Sequence, residues 1–152
     1  MSIPPELRSC PLFYEMYEKE IEKIAGRGLV GSYRVGDHVV TDGESGDEIY
    51  VVLEGSLMVQ KNTPEGLLEI APLSKGDVFG EMVLLDEKIR SADIVCTQPA
   101  WILELRYHQI FDLYEKEPRI FGLMLLNLAR LLAKRLRSTN KIIVELKKNL
   151  AP

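Results

Sequence analysis

The stretch Gly76-Asp77-Val78-Phe79-Gly80-Glu81-Met82-Val83-Leu84-Leu85-Asp86-Glu87-Lys88-Ile89-Arg90-Ser91-Ala92 places several kinds of chemistry close together. Gly80 permits close backbone approach by a ligand. Glu81 to Leu85 has room for barely one helical turn, and the free N–H groups at the start of such a turn face an anion well. Arg90 follows nine residues after Glu81 among apolar and small neighbours. Its guanidinium is suited to pair with phosphate oxygens. Ser91 adds a hydroxyl, and Ala92 keeps the wall low. A carboxylate beside an anion site accepts hydrogen bonds from sugar hydroxyls, so Glu81 and Arg90 fit a phosphate-plus-ribose pocket. They equally fit a plain salt bridge, and the residues alone leave both readings open.

Something must position these groups, and the texture of the chain indicates what. Leu12, Phe13, Met16, Tyr17, Ile21 and Ile24 recur at helical spacing, which predicts an amphipathic helix over Leu12–Ile24 ended by Gly26 and Gly28. From Leu29 to Arg106, short β-branched or aromatic runs (Val39–Val40, Ile49–Leu53, Leu57–Val59, Leu67–Ile70, Ile94–Val95, Trp101–Leu105) are separated by Gly, Pro, Asp and Asn turn signals. The Asn62–Gly66 stretch reads as a hairpin loop. This pattern predicts an antiparallel sandwich or barrel. Tyr107–Glu117 reads as a short helix. Pro118 then opens a second one that meets no further proline before Leu150, a length of roughly 50 Å if unbroken.

That helix carries Phe121, Leu125, Leu128, Leu132, Leu136, Thr139, Ile143, Leu146 and Leu150 at steps of three and four, a heptad pattern with one stutter. Extra apolar residues in its first half predict burial against the β body. The second half is a thin seam flanked by Arg135, Arg137, Lys141, Lys147 and Lys148, and it predicts a parallel homodimer. Leu125, Leu128, Leu132, Leu136, Ile143 and Leu146 are the expected dimer contacts. The expected organisation is one domain over 1–152, with a helical region 1–28, a β region 29–106 and a helical region 107–152.

The composition excludes several classes. The 152 residues are 46% hydrophobic and 28% charged, a globular composition with enough chain to bury an ordinary core. No apolar run approaches a membrane span, and the N-terminus is unlike a secretory signal. Cys10 and Cys96 are far apart, which fits a reducing cytoplasm better than a disulfide framework. Lone His38 and His108, without metal-ligand spacing, argue against a metal-dependent jelly-roll enzyme, so no metal and no cofactor are expected. Glu15, Glu18, Glu20 and Glu22 read as a solvated helix face. The net charge of −4 hides a basic C-terminal helix on an acidic body. That helix is too interspersed with Leu and Ile to read as a DNA-binding basic region.

The 76–92 segment resembles the phosphate-binding cassette of cyclic-nucleotide-binding domains, with Phe-Gly-Glu, a short apolar turn, then Arg-Ser-Ala at the family's distance. Gly43-Glu44-Ser45-Gly46-Asp47-Glu48-Ile49-Tyr50-Val51-Val52-Leu53-Glu54-Gly55 is similar to that family's β-turn-β core. Within the family the chain looks most like the sensory half of bacterial catabolite activator proteins. The resemblance implies a mainly β fold with flanking helices (α+β): an antiparallel jelly roll, or double-stranded β-helix, with an N-terminal helix and a long C-terminal dimerisation helix. It implies a non-enzymatic, cytoplasmic, homodimeric sensor of cAMP or cGMP. Glu81 would accept from the ribose 2′-hydroxyl. Arg90, Ser91, Gly80 and Ala92 would cradle the cyclic phosphate, and Val59 and Ile70 would flank the sugar and base. Thr139 matches a threonine that reads adenine in the dimer, which favours cAMP; a polar residue that sets helix register is the other reading. Asn140 stands where the activators have serine, which puts the second-subunit contact in doubt. No helix-turn-helix follows the long helix here, so no DNA binding by this chain alone is expected. A degenerate, ligand-free dimerisation scaffold of the same fold, or the truncated sensory half of a transcription regulator, is the alternative, with the downstream effector open.

Overall fold

The computed structural model describes residues 5–151. Six strands form an antiparallel sheet curled on itself: β1 (Leu29–Tyr33), β2 (His38–Val40), β3 (Glu48–Thr63), β4 (Gly66–Ser74), β5 (Val78–Phe79) and β6 (Asp93–Arg106). The order is β1-β6-β3-β4, with β2 on β6 and β5 on β3. Helices α1 (Pro5–Arg8), α2 (Glu18–Ala25), α3 (Tyr107–Lys116) and α4 (Pro118–Leu150) flank it. This is the jelly roll with flanking helices that the resemblance implies.

The expected strand runs Ile49–Leu53 and Leu57–Val59 are one strand, β3, and Ile94–Val95 and Trp101–Leu105 are one strand, β6. The two pair from Glu48↔Arg106 to Gln60↔Asp93, with register shifts between Val52 and Leu57. Gly55 sits at that bend with φ +94°, and a Cβ there would lie 2.3 Å from the Pro99 carbonyl, so glycine is required. Ile49–Leu53 reads as an unbroken apolar run because both faces are buried. Tyr50 and Val52 face the barrel interior with Val40, Leu57, Leu73, Phe79, Ile94 and Ile102. Ile49, Val51 and Leu53 face outward into a second core with Leu103, Leu105 and the helices. The hairpin loop falls where expected, with Thr63 paired to Gly66.

The Leu12–Ile24 helix is not continuous. A 3-10 turn at Pro11–Phe13 is followed by Glu15 with φ +66°, and α2 begins only at Glu18. Asn127, buried on α4, donates to the carbonyls of Leu12 at 3.0 Å and Tyr14 at 2.8 Å. These carbonyls find a tertiary partner in place of the helical one, and a hydrophobic period cannot register that competition.

Helix α4 runs unbroken over 33 residues. Ile120, Met124, Asn127 and Leu128 bury its first half against the body. Leu128, expected on the dimer seam, is instead only 5% exposed and belongs to the outer core of its own chain. Leu125 likewise turns toward its own body, lining a groove with Leu84, Ile110 and Phe121. Leu132, Leu136, Ile143, Leu146 and Leu150 are exposed, so the open seam begins about one turn later than the sequence pattern indicates. No helix among the described residues is long and apolar enough to cross a membrane.

Candidate functional site

The cassette begins where β5 ends. Val78 and Phe79 pair with Val51 and Tyr50 of β3. Gly80 then turns the chain with φ +83°, and a Cβ on it would lie 2.6 Å from the Glu48 carbonyl. Glu81–Leu85 form a single 3-10 turn, closed by Asp86 with φ +62°. The return segment is zipped to the loop before β3. The Arg90 N–H donates to the Glu44 carbonyl, Gly43 N–H to the Arg90 carbonyl and Gly46 N–H to the Lys88 carbonyl, each at 2.8 Å. The two motifs singled out in the sequence are thus one piece of backbone scaffolding.

Arg90 is nearly buried, its side chain 9% exposed. Its Nη2 donates to the Glu48 carbonyl at 2.9 Å and to Glu48 Oε2 at 3.2 Å. Its Cζ lies 5.8 Å from the centre of the Tyr50 ring, which stacks on Phe79 at 4.7 Å. Burial, and then the nearby Glu48 carboxylate, pushes the Tyr50 hydroxyl up to about 12, so it stays neutral beneath the guanidinium at ordinary pH. Gly46 lies against the same fork: a Cβ there would sit 2.7 Å from Arg90 Nη2 and 2.9 Å from Glu48 Oε2.

Arg90 opens on a cavity of about 270 Å³. Its polar rim is Gly80, Glu81, Glu87, Arg90, Ser91 and Arg135; its apolar wall includes Val40, Val59, Ala71, Leu73 and Ile94, with Ala92 between. Glu81 Oε1 is 3.3 Å from Arg135 Nη1, and Arg135 also donates to the Val78 carbonyl. A residue of the long helix therefore stands over the mouth and shares the cassette carboxylate. Lys61 Nζ donates to the Ser91 carbonyl at 2.8 Å, fixing the far side of the rim. The whole presents two guanidinium cations, two carboxylates, a hydroxyl and an apolar wall. This suits an anion attached to a hydroxylated, partly apolar body. No group of three metal-ligating side chains occurs among the described residues.

Gly80, Glu81, Arg90, Ser91, Ala92 and Val59, singled out from sequence, converge on this one cavity. Ile70 does not: it is 54% exposed. Val59 pairs with Ala71 and Gln60 with Glu69, so Ile70 falls in a bulge and Ala71 takes the lining position. Thr139 and Asn140 lie beyond Arg135 on exposed α4, outside the cavity of their own chain. Asn140 lines a shallow groove with Leu136 and Val144. Sequence reasoning gave Glu48, Lys61 and Arg135 no place at the site and read Gly46 only as part of a turn. Arg135 stands in a basic helical run that otherwise reads as a solvated face. Glu48 carried no signal beyond its place two residues before Tyr50.

Comparison with known proteins bears on this geometry. The family model for the cyclic nucleotide-binding domain matches residues 30–117. The chain is 35% identical over 96 residues to cGMP-dependent protein kinase, isozyme 1, of Drosophila melanogaster, covering 61% of this chain and 12% of that protein. It is 31% identical over 135 residues to Glutaminase 1 of Bradyrhizobium diazoefficiens, covering 89% of this chain and 21% of that protein. It therefore spans about a fifth or less of these curated relatives. The solved Thermus thermophilus catabolite activator protein superposes with a TM-score of 0.75 at 30% identity, covering 90% of this chain and 63% of that one.

Proposed function

The chain belongs to the cyclic nucleotide-binding domain family, and on that premise we propose that it is a non-enzymatic, cytoplasmic, homodimeric sensor that binds cAMP in preference to cGMP. The observation that carries this reading is the convergence of Arg90 and Glu81 on one cavity. Arg90 Nε and Nη1 have no acceptor among the described residues, which leaves one donor on either edge of the guanidinium for the cyclic phosphate. The ribose 2′-hydroxyl donates to Glu81, and the Ser91 hydroxyl with the Gly80 and Ala92 backbone completes the phosphate cradle. The base lies along Val59 and Ala71, toward α4.

Signalling runs through Arg135. A ribose hydroxyl on Glu81 takes a share of a carboxylate that also holds the long helix. Occupancy of the pocket and placement of α4 are then linked, provided the ligand prefers one helix arrangement to the other. The seam Leu132, Leu136, Ile143 and Leu146 is the dimer contact, with Thr139 within it. In a parallel pair the partner's helix brings Thr139 and Asn140 toward the base. Thr139 is the reason for preferring adenine.

Calorimetric titration of the full chain with cAMP and with cGMP tests the reading. Saturable binding of both, tighter for cAMP, is expected. No saturable heat with either nucleotide overturns the sensor reading in favour of a ligand-free dimerisation scaffold. Tighter cGMP binding overturns the base preference alone.

A further inference from the structure

The pocket's cation already has an anion of its own. Arginine donates from two edges, one formed by Nε and Nη2 and the other by Nη1 and Nη2, so Nη2 belongs to both. In this chain the two Nη2 hydrogens go to the Glu48 carbonyl and to Glu48 Oε2. Each bidentate edge is therefore half taken before any ligand arrives. The Glu48 carboxylate is held in place: it is 23% exposed, and Gly46 packs so closely that an added Cβ would clash with both it and the guanidinium. Glu48 is the only carboxylate paired with Arg90 among the described residues; Glu87, which also lines the cavity, makes no ion pair with it. Glu81 is paired with Arg135, and Glu104 accepts from Tyr33.

We propose that Glu48 is an internal competitor for Arg90, an affinity-setting residue that limits the incoming phosphate to single hydrogen bonds and opposes its charge. This rests on Arg90 being the phosphate-binding group. Glu48 does not touch the nucleotide; it acts through Arg90. A nucleotide that gains the bidentate edge must first displace the carboxylate, whose neighbouring backbone carbonyl keeps the guanidinium aimed in either case. The consequence is the reverse of that for a structural salt bridge. Removing the carboxylate should tighten binding while weakening the fold, because the cation loses a partner that the ligand then supplies.

The test uses cAMP, the full chain, and the variants Glu48→Gln and Glu48→Ala. The glutamine keeps an acceptor of the same reach without the charge, and binding is expected to tighten three- to tenfold. The alanine frees one Nη2 hydrogen as well, and binding is expected to tighten at least as much, alongside a lower melting temperature. In wild-type protein labelled with carboxyl carbon-13, the Glu48 resonance should shift on addition of cAMP, a change that a passive structural acid does not require. Glu48→Gln binding equal to or weaker than wild type, or a Glu48 resonance unmoved at saturation, overturns the proposal. If the wild-type chain takes up no cAMP, the sensor reading fails and this proposal with it; if wild type binds and only the variants disobey, the sensor reading stands and Glu48 is structural.

Discussion

Substituting Arg90 by lysine isolates geometry from charge at the centre of the site. The guanidinium serves two masters at once: Nη2 holds Glu48 through bonds of 2.9 and 3.2 Å, while Nη1 and Nε stay free for a ligand. A lysine ammonium is one point on a flexible stem. Buried at the same place, it can stay with Glu48 or turn to the phosphate, but it cannot span both. The expected loss is one charge-assisted hydrogen bond to the nucleotide, about 1.5–3 kcal/mol. That is a weakening of Kd of roughly 10- to 150-fold. Free of ligand, the Arg90→Lys variant keeps a partner for its charge in Glu48 and gives up a bond to main chain, so its stability should fall by only about 1 kcal/mol. Calorimetry gives Kd directly. Thermal unfolding with and without cAMP gives an independent value, because ligand at a hundredfold excess over Kd stabilises by about 2.7 kcal/mol. A variant that binds cAMP within threefold of wild type would show that positive charge alone suffices, and the geometric argument for Arg90 would be wrong.

Three further outcomes follow from the same geometry. Glu81→Gln should weaken cAMP binding about tenfold while leaving affinity for 2′-deoxy-cAMP little changed; if both ligands weaken alike, Glu81 does not read the 2′-hydroxyl. Leu136→Glu should turn a dimer into a monomer in sedimentation equilibrium with little change in the monomer's fold, since Leu136 is 61% exposed on its own chain; a dimer that persists refutes the seam. Burial raises the Cys10 thiol to about 11 from 9.0, so the unfolded chain releases that proton first as pH rises. Stability from this group is intact below pH 9 and is lost progressively toward pH 11, by up to about 3 kcal/mol. The urea midpoint should fall over this interval and fall less in Cys10→Ala.

The legible part of the molecule was whatever depends on local backbone rules. Gly80 and Gly55 mark turns that no side chain tolerates, and Gly80, Glu81, Arg90, Ser91 and Ala92 lie on one short segment that closes on itself. Strand joins were harder. Gly55 bends β3 without ending it, and Pro99 sits inside β6, so punctuation that normally separates strands merely kinks them here. Side-chain parity was lost at one point: the bulge at Ile70 turns an apolar residue outward and gives its place to Ala71. The Leu12–Ile24 period was correct about burial and wrong about continuity, because Asn127 reaches across from α4 to take the carbonyls of Leu12 and Tyr14. Leu128 shows the same limit: one apolar stripe serves the chain's own core at its start and solvent-facing seam at its end. Glu48 and Arg135 were invisible because their partners are 42 and 54 residues away.

In the proposed mechanism, the position of Arg135 along α4 sets how much signal the pocket can send. Residues up to Leu131 pack on the body, and Arg135 is the last residue of the helix with any substantial shelter. Past it, fifteen residues project as an exposed lever of about 22 Å. A contact at the base of a lever is displaced little and moves the tip far. Its energy is nonetheless modest, since the Arg135–Glu81 pair has side chains 36% and 21% exposed and is worth about 1 kcal/mol. Redistributing one such pair shifts a two-state balance about fivefold. A single subunit would therefore be a poor switch. Two levers joined along one seam must move together, so their contributions add to about 2 kcal/mol and the shift approaches thirtyfold. On this account the dimer is what makes a weak, partly solvated ion pair adequate for signalling, and the proposed seam and the proposed pocket stand or fall as one device.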